Sequence, residues 1–195
     1  VKITSDSEKP DTAAISGNNI VWIDISNPTN PPLYIYTIPT TQKKSITTGV
    51  DEFAIDGDNV AWTSSTSGGN GIIGLYSIPD GTTLVFYDRI SEVSSPSISG
   101  NRLVFSENVS SQPDSEIYLY DIQTHDLIAI TDDAYNQKSP DISGDIIVWE
   151  DDRNGDRDIY GYDIATETEF PICVAPGDQI EPDINTEEKW MVNTG

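Results

Sequence analysis

The chain has 195 residues, 33 of them acidic and 10 basic, for a formal net charge of −23 with 36% hydrophobic residues. A field of that sign repels nucleic-acid phosphates and anionic lipid, so neither is expected as a partner. One cysteine, Cys173, cannot form an internal disulfide and reads as a buried small hydrophobe; with a single histidine, His125, zinc sites of the usual type are excluded too.

Taken in order, Val1-Lys2-Ile3-Thr4 reads as an isolated outer strand, because it matches Ile128-Ala129-Ile130-Thr131 deep in the chain. A corner follows at Ile15-Ser16-Gly17 and recurs as Ile55-Asp56-Gly57, Ile98-Ser99-Gly100 and Ile142-Ser143-Gly144, at separations of 40, 43 and 44 residues. After each corner an apolar strand closes on a large residue, Trp22, Trp62, Phe105 and Trp149, with Met191 read as the fifth. Tyrosines of a third strand, Tyr34, Tyr76, Tyr118 and Tyr160, stand 42 apart, and a fourth strand carries Ile3, Ile46, Phe86, Ile130 or Ile172. Four short strands every 40 to 45 residues are the signature of a β-propeller blade.

The loops vary as loops should. Ser26 to Pro32 is a proline-rich, stiff connection, and Ser64 to Gly71 is a glycine- and serine-rich excursion. Asn108-Val109-Ser110 has the pattern of an N-glycosylation acceptor. In the fourth repeat Asn154-Gly155 separates Trp149 from Ile159 and Tyr160, which predicts a hairpin with a type I′ turn.

Blades are expected at about 10–48, 49–87, 94–132 and 138–174, with 180–195 joined to 1–5 as a fifth in a single propeller domain covering 1–195. Closure would pair Val1–Thr4 with the strand around Trp190 to Val192, removing the open sheet edges. The alternative is a segment of a longer propeller of six to eight blades. No apolar run reaches membrane-spanning length and no window keeps a helical period, so an all-β monomer without membrane insertion is expected.

Pro140-Asp141-Ile142-Ser143-Gly144, Ile147-Val148-Trp149 and Asp152-Arg153-Asn154-Gly155 with Asp158-Ile159-Tyr160 carry a resemblance. They resemble the TolB-like, or WD40-like (PD40-type), propeller repeats, in the variant found in large cell-surface proteins of archaea and bacteria. The resemblance is strong in the fourth repeat and weaker in the first two, and repeats one to three lack the Asp-Arg-Asn-Gly segment. It implies a propeller without chemistry of its own, secreted or at the cell surface, that binds a protein or glycan through a loop face. That inference is by analogy, because fold does not fix function.

Two sets of residues could carry chemistry. Asp152, Asn154, Asp156 and Asp158 place oxygen donors at alternate positions, as a Ca²⁺ loop does, although Gly155 falls at the fourth position of such a loop instead of the sixth and two arginines interrupt it. A plain turn flanked by hydrogen-bonded aspartates explains the same residues. Five-bladed propellers also include glycoside hydrolases with carboxylates in the central channel, and the innermost strands here offer Asp11, Asp56, Asp141 and Asp183. Against that stands the proline-aspartate turn motif as a structural repeat. No catalytic residue is assigned: His125 belongs to the turn Gln123-Thr124-His125-Asp126, and Trp22, Trp62 and Trp149 are expected to pack between blades.

Overall fold

The computed structural model describes residues 2–66, 68, 70–89, 91–109, 114–185 and 191–194, in two compact units, Val1–Arg89 and Ile90–Gly195. Among the described residues every regular element is a β-strand.

The first unit holds two four-stranded antiparallel sheets in sequential order. These are β1 (Pro10–Ser16), β2 (Asn19–Asp24), β3 (Pro32–Thr37) and β4 (Gln42–Thr48), then β5 (Glu52–Asp56), β6 (Asn59–Ser65), β7 (Gly71–Ser77) and β8 (Thr82–Arg89). The second unit repeats the plan with β9 (Ser91–Ser99), β10 (Arg102–Val109), β11 (Ser115–Asp121) and β12 (Leu127–Ala129), and again with β13 (Gln137–Ser143), β14 (Ile146–Asp151), β15 (Asp158–Asp163) and β16 (Thr168–Cys173). A two-stranded sheet, β17 (Gln179–Asp183) and β18 (Met191–Thr194), follows.

The corner glycines explain why each first hairpin is so tight. Gly17, Gly57, Gly100 and Gly144 have φ between +54° and +60°, a region that costs any residue with a Cβ. The serine before the glycine then ties neighbouring sheets of one unit: Gly57 N donates to Ser16 Oγ at 2.9 Å, and Gly144 N to Ser99 Oγ at 3.1 Å.

Packing repeats with the same period. Trp62 packs with Val21, Ile23, Leu33 and Ile35 of the preceding sheet, and Trp149 with Val104, Ile117 and Leu119 of the sheet before it. Each buried aliphatic side chain there contributes roughly 1.5–3 kcal/mol. The outer strands share a feature too. In β4, β8 and β16 the ladder skips one residue, at Ile46, Phe86 and Ile172, so the expected apolar position is a β-bulge.

The ladders correct four expectations. Trp22, Phe105 and Trp149 pair with Tyr34, Tyr118 and Tyr160, whereas Trp62 pairs with Gly74, and Tyr76 sits opposite Val60 as Tyr36, Tyr120 and Tyr162 sit opposite Ile20, Leu103 and Ile147. Equal spacing concealed a two-residue slip, because the second sheet has a different hairpin loop. Gly74 is required where it stands, since a Cβ would lie 2.0 Å from the Trp62 ring. Met191 pairs with Asp183 as Val148 pairs with Asp141, which moves the position equivalent to Trp149 to Val192. Lys2–Lys9 lie in no strand; there Glu8 N donates to Ser5 O, and Ser5 N donates to the Glu8 carboxylate, closing a local turn. Finally, β14 and β15 do form a hairpin, but not through a two-residue turn: residues 152–157 separate the strands, Gly155 alone has positive φ (+103°), and its N–H donates to Asp152 O at 2.9 Å. The strand around Trp190 expected to pair with Val1–Thr4 falls on residues outside those described at Val1 and Trp190, as does Ser110 of the glycosylation pattern.

Candidate functional site

The loop with the expected calcium donors is built as a clamp. Asp152 accepts from Asn136 N and Asn136 Nδ2, both at 2.8 Å, while Asn154 Nδ2 donates to Asp158 Oδ2 at 2.7 Å and Tyr160 Oη at 3.0 Å. Asp156 Oδ2 accepts Gly177 N at 2.7 Å, and Asp158 Oδ1 accepts Ala175 N at 3.3 Å. The four side chains therefore turn toward three different partner segments. Among the described residues no three acidic, histidine or cysteine side chains gather as a metal would need.

The strongest group in that loop is one the sequence reading passed over. Asp151, fully buried, accepts from Arg153 Nε at 2.8 Å, Arg153 Nη2 at 2.5 Å and Trp149 Nε1 at 3.1 Å. Burial alone would raise its pKa; the hydrogen bonds from Arg153 and Trp149 overcome that and hold it below the usual carboxylate range. Arg153 continues to Glu169 at 2.5 Å and lies 4.1 Å over the Tyr160 ring, which makes it the keystone of a structural network.

The aspartates of the innermost strands separate into different repeat positions. Ala14, Ala54, Ser97, Asp141 and Asp183 are equivalent by register, pairing with Val21, Ala61, Val104, Val148 and Met191. Asp11 and Asp56 are elsewhere: Asp11 is exposed near the start of β1, and Asp56 ends β5 at the corner. Only Asp141 and Asp183 are brought together. They line a cleft of about 390 Å³ with Ser95, Pro96, Ser97, Ser139, Pro140 and Pro182.

A repeated backbone device shapes this cleft. In β9, β13 and β17 the ladder slips by one residue just ahead of Ser97, Asp141 and Asp183, and Ser95, Ser139 and Glu181 take φ of +53°, +51° and +54°. Each precedes a proline, which has no N–H for a ladder and therefore suits a bulge. The bulge re-aims the residue after proline toward the next sheet. Ser97 Oγ donates to Asp141 Oδ1 at 2.5 Å and accepts Ile142 N at 3.4 Å; Asp141 Oδ2 accepts Ile184 N at 2.8 Å. Burial raises the Asp141 carboxyl above its ordinary range, and the neighbouring charge of Asp183 adds to that. Asp183 itself is exposed.

No imidazole completes a nucleophile. His125 sits in its turn with φ of +65°, and its Nδ1 is 2.8 Å from Tyr120 Oη.

The sequence matches no protein-family model and no curated protein. The structure is similar to TolB from Acinetobacter baumannii (TM-score 0.65, 18% identity, covering 90% of this chain and 49% of that one). It is also similar to a puromycin-hydrolyzing peptidase of Mycobacterium tuberculosis (TM-score 0.70, 12% identity, 89% and 30%) and to an oligogalacturonate lyase in complex with manganese (TM-score 0.63, 13% identity, 92% and 60%). The chain thus spans about half the length of that TolB and less than a third of the peptidase. What these likenesses establish is the fold, a TolB-like β-propeller fold.

Proposed function

We propose that the chain is a non-enzymatic propeller scaffold of a secreted or cell-surface protein, binding a protein or glycan through a loop face. The observation that supports this reading is the composition of the cleft. Of its three serines Ser97 gives its hydroxyl to Asp141, three of its eight lining residues are proline, and the histidine that could activate a nucleophile is held by Tyr120 in its own turn. Such a surface recognises more readily than it reacts. Incubation with a glycan array and with a cell-surface protein fraction is expected to yield a saturable ligand recovered chemically unchanged. An empty result from both, together with turnover of chromogenic glycosides, overturns the proposal.

One observation favours a second reading, a glycan-processing enzyme. Two carboxylates share the cleft in unlike environments, Asp141 pushed up by burial and Asp183 exposed, which is how an acid and a base are set apart. It requires that Asp141→Asn or Asp183→Asn abolish hydrolysis at an unchanged melting temperature. A broad glycoside panel without turnover disposes of it.

A further inference from the structure

Asparagine precedes glycine twice in the chain, at Asn70-Gly71 and Asn154-Gly155. Such a pair is chemically unstable in water. The glycine nitrogen, with no Cβ to hinder it, gives up its proton and attacks the asparagine Cγ; ammonia leaves, a succinimide closes, and water opens it to aspartate or isoaspartate. One water is consumed, one ammonia is released, and no oxidant or cofactor is needed. In the fourth sheet the fold blocks this path at both reacting nitrogens. Gly155 N, the nucleophile, donates its hydrogen to Asp152 O at 2.9 Å. Asn154 Nδ2, the leaving group, donates to Asp158 Oδ2 at 2.7 Å and to Tyr160 Oη at 3.0 Å, so both of its hydrogens are engaged. Asn154 and Gly155 are nonetheless exposed, and local opening of the loop brings water and amide together.

We infer that Asn154 is a latent deamidation site, silent while this clamp is closed and reactive when the loop between β14 and β15 opens, and that its conversion loosens the segment leading into β17. The product puts a carboxylate where an amide donor stood, beside Asp158, which is 1% exposed. A buried carboxylate thereby loses a hydrogen bond and gains a like charge. Asp158 is also the acceptor of Ala175 N at 3.3 Å. The same loop holds the rest of that segment: Asp156 accepts Gly177 N at 2.7 Å, Arg157 N donates to Asp178 at 3.1 Å, and Arg157 O accepts Gln179 N at 2.6 Å. Isoaspartate goes further, because it adds a methylene to the backbone of the loop and displaces these partners. A change at one exposed amide is thus carried to the next sheet.

Peptide mapping by mass spectrometry, with isoaspartate scored separately, tests this on the full chain held in mildly alkaline buffer. In urea above the unfolding transition Asn70 and Asn154 are expected to deamidate at similar rates, since each precedes glycine. In the native chain Asn154 is expected to react severalfold more slowly than it does in urea. Tyr160→Phe keeps the ring beneath Arg153 but frees one amide hydrogen, and should speed the native reaction at Asn154 severalfold while leaving Asn70 unchanged. Asn154→Asp installs one product directly. Hydrogen exchange at residues 175–179 should be faster in that variant than in Asn154→Ala, which loses the same donor without adding a charge. A native rate equal to the rate in urea, no reaction in either state, or an unchanged rate in Tyr160→Phe would each overturn the latent site. Exchange in Asn154→Asp no faster than in Asn154→Ala would overturn its link to β17.

Discussion

The third and fourth sheets place an acid pair at the same spot and treat it differently. Two residues beyond Trp149, Asp151 faces Asp158 across β14 and β15; two beyond Phe105, Glu107 faces Glu116 across β10 and β11. All four are buried. In the fourth sheet Arg153 grips Asp151 with two nitrogens while Asn154 and the backbone of Ala175 satisfy Asp158. In the third, Glu116 Oε1 accepts Asp133 N at 3.2 Å, yet Oε2 is buried without a hydrogen-bond partner, and burial pushes the carboxyl above its usual range despite Thr131 and the Asp133 N–H. The repeat thus fixes where the acids go, and in the fourth sheet the segment that follows compensates their burial. The Asp-Arg-Asn-Gly segment supplies that compensation.

Arg153→Leu tests the compensated side and should show the largest effect. It strands the buried Asp151 carboxylate, for an expected loss of about 3–5 kcal/mol in urea unfolding. Adding Asp151→Asn to that variant should recover most of the loss, because the uncompensated charge goes with it; an additive double variant would show that Arg153 acts through packing alone. The pH dependence has a definite sign. Asp151, held low in the folded chain, contributes stability above the unfolded carboxylate pKa and loses it as acid titrates the folded group.

Glu116 has the opposite sign. Its raised folded pKa makes ionised Glu116 a cost at neutral pH, relieved as pH falls through that value and gone below the unfolded pKa. Glu116→Gln is therefore expected to stabilise the protein by about 1 kcal/mol at pH 7, with the gain vanishing near pH 4. A loss of stability at pH 7 would mean that the third sheet is compensated after all, and the contrast with the fourth would collapse.

The sheets themselves were legible because period-two apolar runs and positive-φ glycines are local signals. The corners Ile-Ser-Gly or Ile-Asp-Gly and the closing residues Trp22, Trp62, Phe105 and Trp149 located four sheets without any tertiary information. What failed depended on counting through loops of unequal length. Tyr76 looked equivalent to Tyr34 by spacing, and only the ladder shows Gly74 opposite Trp62. The acidic loop was visible as a constellation, but its members' partners, Asn136, Ala175 and Gly177, lie in other segments that sequence cannot bring near. Of the four inner-strand aspartates, Asp141 and Asp183 share a cleft because a bulge precedes each, whereas Asp11 and Asp56 differ from them by register. The pattern Ser/Glu-Pro-Ser/Asp at three successive repeats was the signal for that bulge, and it is readable only once the left-handed residue before proline is known.

That residue gives the smallest effect. Ser139 holds φ of +51° ahead of Pro140, and the fourth sheet keeps it there because the extra residue aims Asp141 at Ile184. A β-branched side chain is the least tolerant of this region, so Ser139→Val should cost about 1–2 kcal/mol. Ser139→Gly relieves the strain, by about 1 kcal/mol, but glycine gains a similar freedom when unfolded, leaving a net change under about 0.5 kcal/mol. If the valine and glycine variants unfolded at the same urea concentration, the left-handed conformation would not be what this position demands. The bulge would then be set by Pro140 alone, and the shared geometry of the three bulges would no longer explain why Asp141 and Asp183 meet.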